Sequence, residues 1–508
     1  LLQGVGGRMI RKPMRFRLKI FIAVCAGGLT LLACETPAKK PHAEARVAPI
    51  TPVQQLDPLL DDVEKRTFNF FWETTEGATG LVPDRWPGAP FASIAAVGFA
   101  LNAYAVGVER GYVTRAQARA RVLTTLRFLH AAPQGDDPAN SAGYQGFFYH
   151  FLNFGSGKRY GNSELSTVDT ALLMAGVLFV GGYFDQDEHD EAEIRKLADE
   201  LYRRVNWPWS IEHVPDIRMA WSPEGLFQTH DWRGYNEAML VYILALGSPT
   251  FPAARQTWVA WTSDYYRSWG TLEGQTHLTF GPMFGHQYSA IWIDFRGIRD
   301  EFMWPLEFDY FENSRRAVLS QRAYAIRNPL DWRGYGPNIW GLTASDGPGN
   351  FKLPYLGTTR EFRGYSARGV GIPGRPEEVF DDGTLAPTAV IGSLPFAPEI
   401  VIPATREMHK RYGQYIYGKY GFLDAFNPSF DYDVPLKRGR RVRGVGWVAT
   451  DYLGIDQGAI ISMIENHRSE LMWTVMKRNH YLRRGLALAG FEGAWLEVPL
   501  SHGDPSRP

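Results

Sequence analysis

Apolar residues recur at helical spacing in about a dozen runs along this chain, near 57–74, 91–110, 114–130, 166–182, 188–205, 235–246, 253–268, 312–327, 386–394, 398–413, 457–466 and 468–489. Runs such as 94–108, 170–180 and 237–246 are rich in Ala, Gly and Leu and nearly uncharged, whereas 191–204 and 315–327 carry charge along one side. Uncharged helices suit an interior where small neighbours touch, and one-sided helices suit a surface. The alternation predicts an all-α fold in which inner helices are ringed by outer ones, with six hairpins accounting for the count. An open helical array would give a similar number. Strand-like stretches are few and short.

Three connections, 210–233, 270–312 and 328–382, are far longer than helix packing requires, and such loops in a compact domain are usually functional. They hold Trp221, Trp232, Trp269, Trp292, Trp304, Trp332 and Trp340 beside carboxylates, amides and glycines. Rings beneath loops serve as core more often than as ligand platforms. Flat apolar rings with hydrogen-bonding groups between them nevertheless match the two faces of a sugar, which makes carbohydrate the substrate class to expect. The pentapeptide Asp-Trp-Arg-Gly-Tyr occurs twice, at 231–235 and 331–335.

Residues 1–34 read as a leader rather than as fold. Arg8, Arg11, Lys12, Arg15, Arg17 and Lys19 precede a short apolar run that ends at Leu31-Leu32-Ala33-Cys34, the layout of a secretory signal too short to span a bilayer. Residues 1–8, ahead of Met9, read as an over-extended start. The last four resemble a bacterial lipobox, which implies lipid on Cys34; a plain membrane anchor is the alternative. Glu35 in the next position favours, by the same resemblance, the outer membrane of a Gram-negative cell, facing the periplasm. Residues 35–56, with four prolines and no apolar period, read as a flexible tether, 57–490 as the catalytic domain and 491–508 as a tail. The other cysteine, Cys25, lies within the leader, so thiolate metal sites, disulfides and cysteine nucleophiles are excluded from the mature chain. Removing the leader's six basic residues leaves 48 Lys+Arg against 54 Asp+Glu, about −6, and no reason to expect a nucleic-acid partner. A monomer is expected.

Carboxylates gather where apolar runs begin. In Asp231-Trp232-Arg233-Gly234-Tyr235-Asn236-Glu237, Asn236 is a candidate N-cap and Gly247 a candidate C-cap, with Glu237 opening the helix between them. Glu237 is then either a first-turn acid that complements the helix dipole or a catalytic acid whose pKa is raised by desolvation or a second carboxylate. Ser166 with Asp169 forms a possible capping box, and Glu164 precedes it. Asp456 lies between Gly454 and Gly458 as an N-cap that the helix end would keep ionised, fit for a base or for a cap alone. Asp382 stands before another apolar run, and Asp346 lies in a loop.

At these residues the chain resembles a known family. Ser-Glu-Leu-Ser-Thr-Val-Asp-Thr-Ala-Leu-Leu (163–173), Tyr-Asn-Glu-Ala-Met (235–239), Trp-Gly-Leu-Thr-Ala-Ser-Asp-Gly-Pro (340–348), Asp-Asp-Gly-Thr-Leu-Ala-Pro-Thr-Ala (381–389) and Gly-Ile-Asp-Gln-Gly (454–458) are similar to the glucoamylase-like domain of bacterial lipoproteins, and within it to glycoside hydrolase family 144, the β-1,2-glucanases. The resemblance runs over residues 57–490. It implies an (α/α)6 barrel and inverting hydrolysis of β-1,2-glucosidic bonds with no cofactor or metal. Glu237 takes the place of the general acid and Asp456 that of a candidate base, with Glu164, Asp169, Asp346 and Asp382 lining the sugar sites. Trp232 and Tyr235 would stack on glucose, and Arg233, Asn236 and Gln457 would bind hydroxyls. Endo or exo action is left open.

Rival readings are a glucoamylase-type α-glucan hydrolase, a glucan-binding lipoprotein without catalysis, and a polysaccharide lyase, which would want a basic cleft with a Tyr/His pair. No Gly-x-Ser-x-Gly, P-loop or His-Glu-x-x-His pattern occurs. His150, His230, His286 and His467 read as structural.

Overall fold

Fifteen α-helices occur among the residues that the computed structural model describes, 56–499 apart from 89, 213–214, 228–229 and 372–379. The expected leader, Cys34 and nearly all of the tether lie outside the described residues. Helix α1 (Pro58–Thr74) opens with Asp57 accepting the Leu59 N–H at 2.9 Å and proline in the first turn, a local stop signal followed by a local start. Six largely buried helices follow at intervals: α2 (Ile94–Glu109), α4 (Thr167–Tyr183), α6 (Met239–Gly247), α9 (Phe284–Trp292), α11 (Pro387–Ile391) and α13 (Gly454–Ser469). Between them run α3 (Arg115–Ala131), α5 (His189–Arg203), α7 (Arg255–Thr262) with the one-turn α8 (Tyr265–Ser268), α10 (Tyr310–Arg327) and α12 (Pro398–Ile416).

The six inner helices form a closed ring. Helix α2 packs on α4, α4 on α6, α6 on α9, α11 on α13, and α13 back on α2. The step from α9 to α11 is made by Gln287, whose amide donates to the Ala389 carbonyl at 3.0 Å and to the Ser393 hydroxyl at 2.8 Å. Outer α1 covers α2 and α13, α3 and α5 cover α2 and α4, and α10 and α12 cover α9 and α11. The architecture is therefore the (α/α)6 barrel. Small residues set its radius: a Cβ on Gly98 would stand 2.5 Å from the Leu172 carbonyl oxygen, and one on Gly176 would stand 2.2 Å from that of Gly98. Inside the ring, Phe99 stacks on Trp292 with centroids 5.3 Å apart, while Trp292 Nε1 donates to Asn102 and Asn102 to Ser462. This hydrogen-bonded plug closes the barrel interior below one mouth. Beyond α13, α14 (Leu471–Met476) packs on α4, α9 and α13, and α15 (His480–Leu488) on α6, where Gly485 meets the Ile243 carbonyl.

Several boundaries differ from expectation. Helix α9 fell inside a stretch read as loop, because Gly285, His286, Gln287 and Tyr288 give no apolar period; nearly every residue of it is buried, so no face is polar. The run 468–489 breaks into α14 and α15 outside the ring, so the hairpin count stands with different members. Helix α6 starts at Met239, and Asn236 caps the preceding turn by accepting the Ala238 N–H at 2.9 Å. Gly247 is the last helical residue rather than a cap, and its bare Cα admits the Tyr481 carbonyl of α15. The tail expected from 491 folds onto the barrel at first, with Phe491 buried beside Trp258, Phe295 and Tyr310 and Trp495 Nε1 donating to the Asp294 carbonyl at 2.8 Å.

The repeated pentapeptide now has a physical account. In both copies the glycine takes positive φ, +71° at Gly234 and +90° at Gly334, which turns the chain so that Trp and Tyr enter the interior while Arg stays outside.

The close contact of α2 with α4 generates a test. Gly98→Val should destabilise the protein by about 3 kcal/mol or more, since backbone rather than a flexible side chain must yield. Urea unfolding followed by circular dichroism measures it, and an unchanged midpoint would show that the ring does not depend on this contact.

Candidate active site

The turn that carries Glu237 is fixed from three sides. Trp232 Nε1 donates to Thr167 Oγ1, at the first residue of α4, at 2.9 Å, which draws the loop entering α6 toward the carboxylates of α4. Ser289 on α9 donates to the Glu237 carbonyl and accepts the Leu240 N–H, both at 3.1 Å, so one hydroxyl serves the turn and the helix start. Behind it, His286 Nε2 lies 3.1 Å from the Phe280 carbonyl and Nδ1 lies 3.0 Å from the Tyr235 hydroxyl. Burial lowers His286 to about 3. A neutral ring that donates from Nε2 must accept at Nδ1, so Tyr235 donates.

Glu237 itself stands two residues before the helix, not in its first turn. Its Oε2 is enclosed with no hydrogen-bond partner among the described residues. Burial raises its pKa to about 7, and Asp169 adds to the rise. Desolvation thus decides the matter against the dipole: near neutrality the side chain is a proton donor.

Asp169 belongs to a charged group at the start of α4. Ser166 is the N-cap, accepting the Asp169 N–H at 3.2 Å, while its hydroxyl donates to Asp169 Oδ2 at 2.5 Å. His150 bridges Glu164, 2.8 Å from Nδ1, and Asp169, 3.6 Å from Nε2. Burial alone would depress His150, but Asp169, Glu164 and Asp84 outweigh it and hold its pKa at about 9. The hydrogen bond from His150 holds Glu164 below the ordinary carboxyl range.

Across the mouth lies a second group. Asp456 occupies the third position of α13, inside the helix and not at its cap. Beside it is Asp424, which accepts the Asp346 N–H at 2.8 Å; Asp346 in turn is paired with Arg85 Nη1 at 2.7 Å, and the same nitrogen reaches Asp451 at 3.2 Å. Asp456 Oδ2 and Asp424 Oδ1 are enclosed with no donor from any other described residue. The two carboxyls lie within electrostatic reach of one another and titrate together. Burial raises both: Asp424 to about 7, with the charge of Asp346 adding to the rise, and Asp456 well above the ordinary carboxyl range, with Asp424 adding to it. The expectation that the helix end keeps Asp456 ionised is thereby overturned, since burial beside a second carboxyl outweighs the dipole. Asp424 ionises at about 7, so the pair gains its negative charge as pH rises through neutrality. Tyr288 of α9 joins the two groups: its phenol lies within electrostatic reach of Asp456, Glu237 and Asp169 together.

Not every residue named from sequence belongs here. Asp382 is fully buried, takes both its oxygens to Arg368 at 2.7 and 2.9 Å and also accepts the N–H groups of Arg363 and Thr384, so it lines no sugar site. Gln457 points the other way from Asp456, donating to the Phe422 carbonyl at 2.9 Å. Arg233 is exposed and paired with Asp216, away from hydroxyl-binding duty. Trp232 and Tyr235 are buried core rings that hold the Glu237 turn, and Asn236 is spent on that turn's own backbone. Conversely Asp84, Arg85, His150, Tyr288 and Asp424 were missed as members of the site. Asp424 lies among aromatic residues in a loop with no helix boundary to mark it, and His150 carried no signal beyond its residue type.

The buried Asp382–Arg368 pair yields a prediction. Asp382→Asn leaves a guanidinium buried without its counter-charge and should cost about 3–5 kcal/mol of stability; urea unfolding checks it, and a loss under 1 kcal/mol would return Asp382 to the mouth.

Comparison with known proteins agrees with this geometry. A family model described as "Putative glucoamylase" matches residues 229–480. A solved structure from Bacteroides uniformis that bears the glucoamylase name is 32% identical and covers 87% of this chain and 100% of its own, with a TM-score of 0.74. The endo-β-1,2-glucanase of Chitinophaga pinensis, solved with sophorotriose and glucose, is 28% identical over 86% of this chain and 99% of its own, with a TM-score of 0.72. The exo β-1,2-glucooligosaccharide sophorohydrolase of Parabacteroides distasonis is 28% identical over 460 residues, 84% of this chain, which spans 57% of that relative's length. With a barrel, a mouth of acids and relatives that coincide, the chain belongs to the glucoamylase-like family.

Proposed function

We propose that this chain is a glycoside hydrolase that cleaves β-1,2-glucosidic bonds of glucan by an inverting mechanism. The observation that carries the reading is Glu237: a carboxyl that keeps its proton to about 7, set with Tyr288 between it and an acid pair whose Asp424 ionises at about 7. One protonated and one ionised carboxyl is what inversion requires. The ionised member of the Asp424–Asp456 pair takes a proton from water as its oxygen attacks the anomeric carbon. The bond from that carbon to the bridging oxygen breaks, and Glu237 gives its proton to the leaving oxygen. Relatives named as acting on β-1,2-glucans support the linkage, and the sophorohydrolase and the endo-glucanase between them leave both exo and endo cleavage within reach of this fold.

We also propose attachment to a Gram-negative envelope through lipid on Cys34, which the leader and the Leu-Leu-Ala-Cys motif support. Cys34→Ser should move the protein from the membrane to the soluble fraction on cell fractionation; retention in the membrane would remove the lipid.

Reducing-sugar release from linear β-1,2-glucan, with soluble starch in parallel, tests the activity. Glu237→Gln should lower turnover by about a thousandfold or more while the protein stays folded; undiminished turnover would take Glu237 out of the acid role. Wild-type rate should fall as pH rises through about 7, where Glu237 loses its proton. Because the unfolded chain releases that proton near 4.5 and the folded one near 7, the carboxyl costs stability increasingly as pH climbs through this window. The melting temperature of Glu237→Gln should therefore exceed wild type at pH 8 and equal it at pH 4. Asp456→Asn and Asp424→Asn should each lower turnover, because the pair then loses a carboxyl that could take the proton from water; if both hydrolyse at the wild-type rate, the base lies elsewhere.

A further inference from the structure

Tyr365 stands apart from the other rings of this mouth. Most aromatic side chains here are buried in the barrel wall, yet 62% of Tyr365 is open to solvent. It lies at the tip of a short ladder in which Ser345 pairs with Ser366 and Ala344 with Ala367, and one step further along that register Tyr365 comes opposite Asp346. Its phenol is within electrostatic reach of Asp456, Asp424, Asp84 and Asp346, and of Tyr288 behind them. A ring this open to solvent, with its phenol in reach of four buried acids, stands where the acid cluster meets solvent.

The segment that presents it is rigid. Arg368, fully buried, donates through Nη2 to the carbonyls of Arg363 and Gly364, both at 3.0 Å, and through Nη1 to those of Ser345 and Ser366, at 2.8 and 3.2 Å. Asp382 neutralises it and also accepts the Arg363 N–H at 3.0 Å. The Gly364 N–H is taken by Asn350 at 3.0 Å. Five backbone groups flanking one exposed tyrosine are thus held by a single buried ion pair, a costly arrangement for a surface loop without a task.

We infer that Tyr365 is a substrate-contact residue, its ring packing on the glucose unit bound over the Asp424–Asp456 pair and its hydroxyl donating to that sugar. The Arg368–Asp382 pair positions it. Burial of the phenol tip and the surrounding carboxylates keep the hydroxyl neutral, so it serves as a donor throughout the working pH range. The inference rests on the glucan-hydrolase reading given above.

Steady-state kinetics on linear β-1,2-glucan, with melting temperatures in parallel, decide it. Tyr365→Ala should lower kcat/KM about tenfold or more, chiefly through KM, with an unchanged melting temperature because the ring is exposed. Tyr365→Phe should recover most of that loss by restoring the ring. In the inactive Glu237→Gln background, calorimetric affinity for a β-1,2-gluco-oligosaccharide should weaken about tenfold on adding Tyr365→Ala. An active wild type whose Tyr365→Ala variant keeps kcat/KM and affinity within twofold overturns this inference and leaves the hydrolase standing. A Tyr365→Ala loss seen only together with a lowered melting temperature overturns it as well, and a wild type inert on β-1,2-glucan overturns both.

Discussion

Backbone-to-backbone contact between inner helices is the constraint on which this structure depends. Gly98 and Gly176 let α2 and α4 approach until carbonyl oxygens meet bare Cα atoms, Gly485 does the same for α6 with α15, and Gly458 of α13 makes room for the Phe99 ring. A ring drawn this tight has room inside for only a few large side chains. Phe99, Trp292 and Tyr288 take that room, and the Trp292–Asn102–Ser462 chain satisfies the polar atoms that go in with them. These rings and their hydrogen bonds fill the barrel interior beside the carboxylates at the starts of α4 and α13 and ahead of α6.

A mouth lined with carboxylates has to manage their repulsion, and the way each is managed separates support from chemistry. Arg368 saturates Asp382, Arg85 holds Asp346 and Asp451, and His150 sits between Glu164 and Asp169. These acids are each paired with a cation. Glu237 and the Asp424–Asp456 pair receive no cation, so burial and neighbouring charge push protons onto them instead. Raised carboxyls of this kind cost folding free energy, and the closed ring and its core offset that cost. The same distinction explains why buried rings such as Tyr235 and Trp232 act only through the backbone turn they steady, whereas the open ring of Tyr365 is available to a ligand.

Much of this was legible in the residues themselves. The alternation of uncharged with one-sided runs, the capping residue Ser166, and the gathering of Glu164, Asp169, Glu237 and Asp456 near helix starts are local features, set by spacing over a few turns and by backbone groups that need partners nearby. Local chemistry therefore determined the helical class, the order of elements and the acids that meet. It stayed silent on α9, whose burial on every side erases periodicity, and on Asp424, which sits in a loop with no pattern around it. Tertiary structure alone decided which carboxyls keep a proton, because desolvation and charge come from segments far apart in the chain: Asp169 acting on Glu237, Asp424 on Asp456, Arg85 on Asp346, Arg368 on Asp382. A residue's type and its place on a helix are written locally, but its protonation is a property of the space it is folded into.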